Sequence, residues 1–428
     1  MTSATGEAVF VSGTGYRTLR IGFVETLLLS LLVGACFLPA EVISAVMSVL
    51  LLFLLFDPFE KDRHRRFPGM ALFALMLLIG IAGSSGKVPR DIAKDVWYVG
   101  NAAVTLWLGF LMAKKLDGIK TILRILVVAA SVVSLTHLCR FAIDPAIITQ
   151  SAIDIRTVVG VGYLLPALGI GVLLADCRYH LALLPVRYGC FVISALCLIS
   201  IVISYSRTLW LGVFTFFFVQ LVIVYYRQVR RVAVVASLVL LAVMVYPIPV
   251  EELEYGTETT FTEKAVRSLT ELRVSDYEDM SDIHRNWRGF ESYRAIETYA
   301  DGNTMSYLFG KGFGTSVDLG LTMILMDEEF DSIPVLHNGY LYLLLKTGIV
   351  GVVTYLCYLF LSLRRGTRLL RLKSAEAKAC GFLIIALALF MLESTLVISG
   401  MFNKGWVFPA TLLLGMLLGK VDDNALPA

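Results

Sequence analysis

The sequence predicts an all-α polytopic membrane protein with about twelve transmembrane helices and one large, partly helical segment outside the membrane. Three observations support this fold class. Hydrophobic residues make up 57% of the 428 residues and charged residues 17%, whereas soluble domains contain roughly 45–50% apolar residues. Apolar runs recur along most of the chain, and a single long polar stretch, residues 249–336, interrupts them.

Each apolar run approaches the length of about 20 residues that a helix needs to cross a ~30 Å hydrocarbon layer. Strands of a membrane barrel would give shorter runs with period-two alternation, which these runs lack. A helix also satisfies its backbone hydrogen bonds in lipid without neighbours. The predicted spans are residues 21–38, 41–56, 67–83, 96–113, 121–139, 157–175, 188–204, 208–226, 232–248, 347–363, 379–397 and 403–419.

The orientation follows from the lysine and arginine residues of the short loops, which favour the cytoplasmic side. An N-terminus on the inside gives about 22 basic residues to the inner segments and about 7 to the short outer ones. We therefore expect both termini to be cytoplasmic and the long polar stretch to lie outside.

This topology divides the chain into three parts: residues 1–248 with spans one to nine, residues 249–346 as the large outer segment, and residues 347–428 with spans ten to twelve and a cytoplasmic tail. Between residues 249 and 336 there are 18 acidic and 7 basic residues and no cysteine. A segment of this charge does not favour nucleic acid as a partner, and it forms no disulfide of its own.

A structureless loop of this length would be unusual, so we expect the outer segment to be folded. Apolar stripes predict a helix over residues 261–273 and another over residues 283–299, with Ser281 or Asp282 as its cap. The glycine-rich residues 310–314 lack the strand-to-helix context of a nucleotide-binding loop. They are interpreted as a tight turn.

Four arginines could bind an anion. Arg207 stands between spans seven and eight with almost no loop, where it either anchors a helix end or faces a site at the outer surface. Arg285, Arg288 and Arg294 fall within ten residues of the acidic segment. They could pair within the helix, as Arg288 with Glu291 or Arg294 with Glu297, or hold phosphate oxygens in their guanidinium forks.

His337 begins the stretch His337-Asn338-Gly339-Tyr340-Leu341, which closes the outer segment. A lone histidine is commonly a structural residue, but imidazole can also take a proton from a hydroxyl near neutral pH. Glu393 lies within the eleventh span, where an acid usually faces a cavity or a partner. The acidic clusters at residues 276–282 and 327–331 lack metal-ligand spacing with histidine or cysteine and are interpreted as solvated loops.

These features together resemble the superfamily of O-antigen ligases and polymerases, bacterial inner-membrane glycosyltransferases of the C-type architecture. The resemblance rests on five features: the Ser206-Arg207 step, the outer segment after span nine, an arginine upstream of residues 308–312, the His-Asn-x-Tyr-Leu motif at residues 337–341, and the later Gly348 and Gly351.

The resemblance implies transfer of a glycan from undecaprenyl diphosphate to a sugar hydroxyl at the periplasmic face, with no cofactor or metal ion. Arg207 and Arg288 would hold the diphosphate, with Arg285 as the alternate, and His337 would act near the reacting centre. Asn338, Tyr340 and Glu393 are the further candidates for substrate contacts. Membrane lipids surround the protein, and the acceptor would be the lipid A-core in a ligase.

Several functions remain open at this point. In a polymerase, the acceptor would be another lipid-linked repeat, and the shared motifs do not separate the two reactions; the compact chain with one outer segment favours the ligase. A lipid or anion transporter would also have about twelve helices, although transporters usually show internal repeats. A non-catalytic scaffold is a third interpretation, in which Arg207 and Arg288 would tolerate substitution.

Overall fold

The structure is a computed structural model that describes residues 22–34, 36–56, 67–145, 147, 155, 164–185, 187–204, 206–225, 280, 283, 286–325, 328–403, 405 and 407–423. Helices dominate this part of the chain. They are α1 (Gly22–Gly34), α2 (Ala40–Leu55), α3 (Met70–Ala82), α4 (Pro89–Lys115), α5 (Gly118–Ile143), α6 (Leu165–Tyr179), α7 (Arg187–Ile203), α8 (Arg207–Val224), α9 (Trp287–Ala300), α10 (Thr304–Phe309), α11 (Gly339–Leu370), α12 (Ala375–Ile398), the 3₁₀-helix Gly400–Phe402 and α13 (Phe408–Asp423).

The predicted helical membrane fold is confirmed. Eleven of the predicted spans overlap one of these helices, and the remaining one, residues 232–248, lies outside the described residues. Among the described helices, α4, α5, α8, α11 and α12 are long and apolar enough to cross a membrane, and α1, α2, α3, α7 and α13 are shorter apolar helices. The total of twelve spans stays a prediction.

Apolar side chains cover the outside of the bundle as well as its core. Phe53, Phe191 and Phe360 are each more than half exposed, although they lie in apolar helices. Inside, α4 and α13 pack along their length and bury side chains such as Leu106, Phe110 and Leu412. Large exposed apolar surfaces mark membrane or protein interfaces, and one that covers helices of membrane-spanning length fits a protein surrounded by a bilayer.

The predicted helices of the outer segment are only partly described. Residues 261–273 lie outside the described residues, as do Ser281 and Asp282. Within the second predicted helix, Ile283 is helical and α9 begins at Trp287 after its N-cap residue Asn286, so the predicted helix is interrupted before Trp287. Its apolar face was placed correctly, because Ile283 and Phe290 are buried.

A β-hairpin amends the all-α prediction. Strand β1 (Val317–Leu325) pairs antiparallel with β2 (Glu328–Ile333), with Val317 opposite Ile333 and Leu325 opposite Glu328. The signal was the period-two alternation of a half-buried strand: Val317, Leu319 and Met323 are buried. Residues 328–331, interpreted from their acidity as part of a solvated loop, lie in β2.

Helix α11 contains a break that positions the outer segment. Gly348 has φ 67° and ψ −168°, a conformation that glycine adopts at little cost. The predicted boundary between an amphipathic stretch ending at Lys346 and a span starting at residue 347 falls at this break. Just before the break in sequence, the carbonyls of Leu345 and Lys346 accept hydrogen bonds from the backbone N–H groups of Lys311 (2.7 Å) and Gly312 (3.2 Å).

The glycine-rich turn therefore supplies hydrogen bonds that α11 cannot form across its break. The turn also reaches α3, since the N–H of Phe313 donates to the carbonyl of Gly80 at 2.8 Å. Gly312 has φ 83°, and a side chain there would collide with the backbone of Gly83. The interpretation of residues 310–314 as a tightly packed turn fits this geometry.

A buried ion pair fixes the same region to α4. The Lys346 ammonium lies 2.6 Å from an Asp95 carboxylate oxygen, and both side chains are 1% exposed. Asp95 also accepts hydrogen bonds from the Tyr342 hydroxyl (2.9 Å) and the N–H of Gly314 (2.7 Å), and Lys346 donates to the carbonyl of Thr315. One carboxylate thus joins α4, α11 and the glycine-rich turn.

We predict that Lys346→Met destabilises the protein strongly, because it leaves the Asp95 carboxylate buried without its cation. Removing one partner of a buried ion pair costs about 3–5 kcal/mol. The control is Lys373→Met, the same change at an exposed lysine. Thermal unfolding of the detergent-solubilised protein measures the difference, and equal melting temperatures for the two variants would contradict the prediction.

Candidate functional site

Three residues from separate parts of the sequence line one cavity of about 480 Å³. They are Arg207, Arg288 and His337, the three residues that the sequence analysis selected for chemistry. The cavity opens at the end of the bundle where α2 and α8 begin and α12 ends. The complete lining is Ala40, Glu41, Tyr98, Ser206, Arg207, Thr208, Arg288, Val335, Leu336, His337, Val397, Ile398, Ser399, Asn403 and Gly405.

Arg207 reaches the cavity from the first turn of α8. The helix begins directly at this residue, with Ser206 as its N-cap residue in an extended conformation. Ser206 is buried, and Ser206, Arg207 and Thr208 all line the cavity. The almost loop-free step between α7 and α8 therefore directs an arginine into the site.

Arg288 is the second residue of α9, and it is the one arginine of the predicted trio that the described structure places in the cavity. Arg294, two turns along, pairs with Glu297 at 2.5 Å and donates to the carbonyl of Asp318 at 2.9 Å. The intrahelical pair predicted for Arg294 is thus present. The hydrogen bond from Arg294 to the Asp318 carbonyl attaches α9 to β1. Arg285 lies outside the described residues.

His337 is held by a buried carboxylate from α9. One oxygen of Glu291 accepts the backbone N–H of His337 at 2.6 Å, and the other lies 2.7 Å from its Nδ1. The Glu291 side chain is 2% exposed, whereas that of His337 is 51% exposed. The spacing on α9 allows Glu291 to pair with Arg288, one turn before it, and in the structure both Glu291 oxygens contact His337.

The backbone around His337 is fixed from two further directions. Ser399, at the end of α12, donates from its N–H to the His337 carbonyl at 2.7 Å and from its hydroxyl to the Leu336 carbonyl at 2.8 Å. Asn338 caps α11, since its side chain accepts the N–H groups of Tyr340 and Leu341 at 3.0 and 3.2 Å. The imidazole is therefore positioned by α9, α11 and α12 together.

These contacts determine which ring nitrogen is available. An ionised carboxylate only accepts hydrogen bonds, so Glu291 selects the form of His337 that carries its proton on Nδ1. Nε2 then holds the lone pair of the neutral ring. Within the described part of the chain no hydrogen bond to Nε2 occurs, and the half-exposed ring borders the cavity. In this form, Nε2 can accept a hydrogen bond from a group that enters the cavity.

The other predicted substrate contacts do not reach this cavity. Asn338 is occupied as the helix cap, and the Tyr340 hydroxyl donates to the Leu392 carbonyl at 2.7 Å. Glu393 accepts a hydrogen bond from Thr215 at 2.5 Å, and no ion pair with an arginine occurs in the described residues. None of the three lines the cavity, and each forms a hydrogen bond elsewhere.

Several cavity residues were not predicted from the sequence. Glu41 at the start of α2, Tyr98 in α4 and Asn403 after the 3₁₀-helix are distant from the motifs in sequence. Only the fold brings them together, because α2 begins and α12 ends at this face. Glu291 could be noticed from the sequence because it follows Arg288 by one helical turn. Its contact with His337 could not be predicted from this spacing, because the two are 46 residues apart.

The arrangement combines fixed positive charge with a proton acceptor. Two guanidinium groups in one cavity can share the oxygens of a diphosphate. A histidine backed by a carboxylate can activate a hydroxyl beside them. Among the described residues, no group of three or more histidine, cysteine or acidic side chains is placed to hold a metal ion.

Comparison with known proteins supports the resemblance drawn from the motifs. Residues 192–356 match the family model described as O-antigen ligase, which confirms the recognition of the O-antigen ligase and polymerase superfamily. The matched region covers less than half of the chain, yet it contains Arg207, Arg288, Glu291 and His337. The chain matches no curated protein significantly.

We predict that the cavity binds inorganic diphosphate and that Arg288→Gln weakens this binding roughly tenfold or more, because a hydrogen bond to a charged group contributes about 1.5–3 kcal/mol. Isothermal titration of the purified protein gives the affinity. Arg294→Gln is the matched control on the same helix, since Arg294 pairs with Glu297 instead of lining the cavity. Identical affinities for both variants and the unsubstituted protein would contradict the assignment of the cavity.

Proposed function

We propose that this protein, a glycosyltransferase-like membrane protein of the O-antigen ligase and polymerase superfamily, is an O-antigen ligase. It transfers a glycan from undecaprenyl diphosphate to a sugar hydroxyl of the lipid A-core at the periplasmic face of the inner membrane. The observation that carries the proposal is the meeting of Arg207, Arg288 and the His337–Glu291 pair in one cavity.

The donor side of the reaction needs positive charge. As the bond between the anomeric carbon and the diphosphate breaks, its electron pair passes to the leaving oxygen, so negative charge grows there. Arg207 and Arg288 would hold the diphosphate and stabilise this charge. Preorganised groups in a site with little water can contribute several kcal/mol to such a step, and two guanidinium groups supply the charge without a metal ion.

The acceptor side needs a group that takes a proton. We assign this role to Nε2 of His337, which would accept the proton of the acceptor hydroxyl while the hydroxyl oxygen forms the new bond to the anomeric carbon. Attack from the face opposite the diphosphate gives inversion. Glu291 acts as a positioning residue, because it orients the ring through Nδ1 and stabilises the imidazolium that forms.

The cavity is also suitably placed for a lipid-linked donor. Exposed apolar residues cover the helices around it, so the polyprenyl chain could remain in the bilayer while the diphosphate enters the site. The predicted orientation puts this end of the bundle in the periplasm, where the arginine-poor outer loops lie. The acceptor, a lipid-anchored glycan, would approach from the same side.

We predict that disruption of the encoding gene in its native bacterium removes all long O-antigen chains from lipopolysaccharide and causes lipid-linked polymer to accumulate. Electrophoresis of the lipopolysaccharide reads this out directly. Complementation with Arg294→Gln should restore the long chains, whereas complementation with Arg207→Gln should not.

Two other outcomes would overturn the ligase assignment. A single repeat attached to the lipid A-core in the disrupted strain would identify a polymerase, which uses the same donor. An unchanged banding pattern, together with substrate flux across reconstituted vesicles, would instead favour a transporter.

A further inference from the structure

A second pocket lies at the end of α11 opposite to the catalytic cavity. It has a volume of about 250 Å³ and is lined by residues from the start of α3, the C-terminal part of α11 and the end of α13. At 1.5 Å per residue, the helix places Arg364 roughly 24 Å beyond the break at Gly348. The lining residues are Pro68, Gly69, Tyr358, Leu361, Ser362, Arg364, Arg365, Arg368 and Leu418.

Three of these residues are arginines on one stretch of helix. Arg364 and Arg368 are four residues apart and therefore neighbours on the helix surface, where like charges repel. In the described part of the chain, no carboxylate pairs with either of them, although both lie in well-formed helix and border the pocket. Such an arrangement is stabilised when an anion sits between the two guanidinium groups.

The remaining wall of the pocket is largely apolar. Leu361 is 49% exposed, so it presents a hydrocarbon surface to the membrane beside the arginines. Tyr358 is buried with its ring edge against Phe73, 5.0 Å between centroids, and forms the floor with Pro68 and Leu418. A free phosphate ion would gain nothing from these walls.

We infer that this pocket binds the headgroup of an anionic phospholipid, with the phosphate between Arg364 and Arg368 and the acyl chains along the exposed side of α11 next to Leu361. The same chemistry, a phosphate on paired arginines, could come from inorganic phosphate. The apolar wall favours the lipid, because it offers a surface for the glycerol and the first methylene groups. Basic pockets between transmembrane helices on the cytoplasmic side are suited to such headgroups, and the predicted orientation places this pocket there.

The site is independent of the catalytic cavity and of the reaction proposed for it. Its test therefore uses binding rather than glycan transfer. The purified full-length protein is titrated with phosphatidylglycerol, with phosphatidylcholine and with inorganic phosphate, and bound lipid is counted by native mass spectrometry. The double variant Arg364→Gln with Arg368→Gln is compared with Arg371→Gln and Lys373→Gln, which remove two exposed charges outside the pocket.

We expect phosphatidylglycerol to bind at least tenfold more tightly than phosphatidylcholine, and this preference to be lost in the pocket variant but kept in the control. Equal retention of phosphatidylglycerol by both double variants would overturn the proposal. Full displacement of the lipid by inorganic phosphate at comparable concentration would overturn it in favour of a simple anion site. If the pocket variant fails to fold, the double variant Arg364→Lys with Arg368→Lys replaces it, because lysine keeps the charge but not the fork geometry. Loss of the phosphatidylglycerol preference in that variant supports the site. An unchanged preference contradicts it.

Discussion

The buried carboxylate of Glu291 joins the two halves of the site. It holds both the backbone and the imidazole of His337, at 2.6 and 2.7 Å, and it lies on the same helix as Arg288, one turn away. Arg288 and His337, the residues proposed to bind the diphosphate and to accept the proton, are therefore positioned relative to each other by the Glu291 side chain. Since a buried carboxylate without partners is costly, positions of residue 337 that break these two hydrogen bonds are disfavoured.

A second set of contacts fixes the position of the backbone around His337. The break of α11 at Gly348 separates the outer part of the helix from the membrane part. The Lys346–Asp95 ion pair fixes the outer part of the helix to α4. The N–H of Gly312 donates a hydrogen bond to the Lys346 carbonyl, which lies next to the break. With Ser399 holding the His337 carbonyl from α12, the site rests on rigid helices rather than on a free loop, as a site that must hold reacting atoms in place requires.

The sequence predicted which residues meet in the cavity better than it predicted the contacts that hold them there. Arg207, Arg288 and His337 were selected from their positions at the outer border of the membrane and from the motif resemblance, and they line one cavity. Glu291 was not assigned to His337, because 46 residues separate the two and no local pattern encodes such a contact. The pair of Asp95 and Lys346 was not predicted either, because 251 residues separate them. The hairpin at residues 317–333 was missed because its alternation is short and interrupted by Gly320.

The proposed mechanism requires Glu291 and His337 to act as one catalytic unit, and a double-mutant cycle of glycan transfer in reconstituted membranes tests this. His337→Ala should lower the transfer rate by roughly 10²–10⁴-fold, and Glu291→Gln should lower it less. Adding Glu291→Gln to His337→Ala should then have almost no further effect, because the carboxylate acts through the ring. Full transfer activity in His337→Ala, or independent multiplicative losses from the two substitutions, would contradict the proposed mechanism.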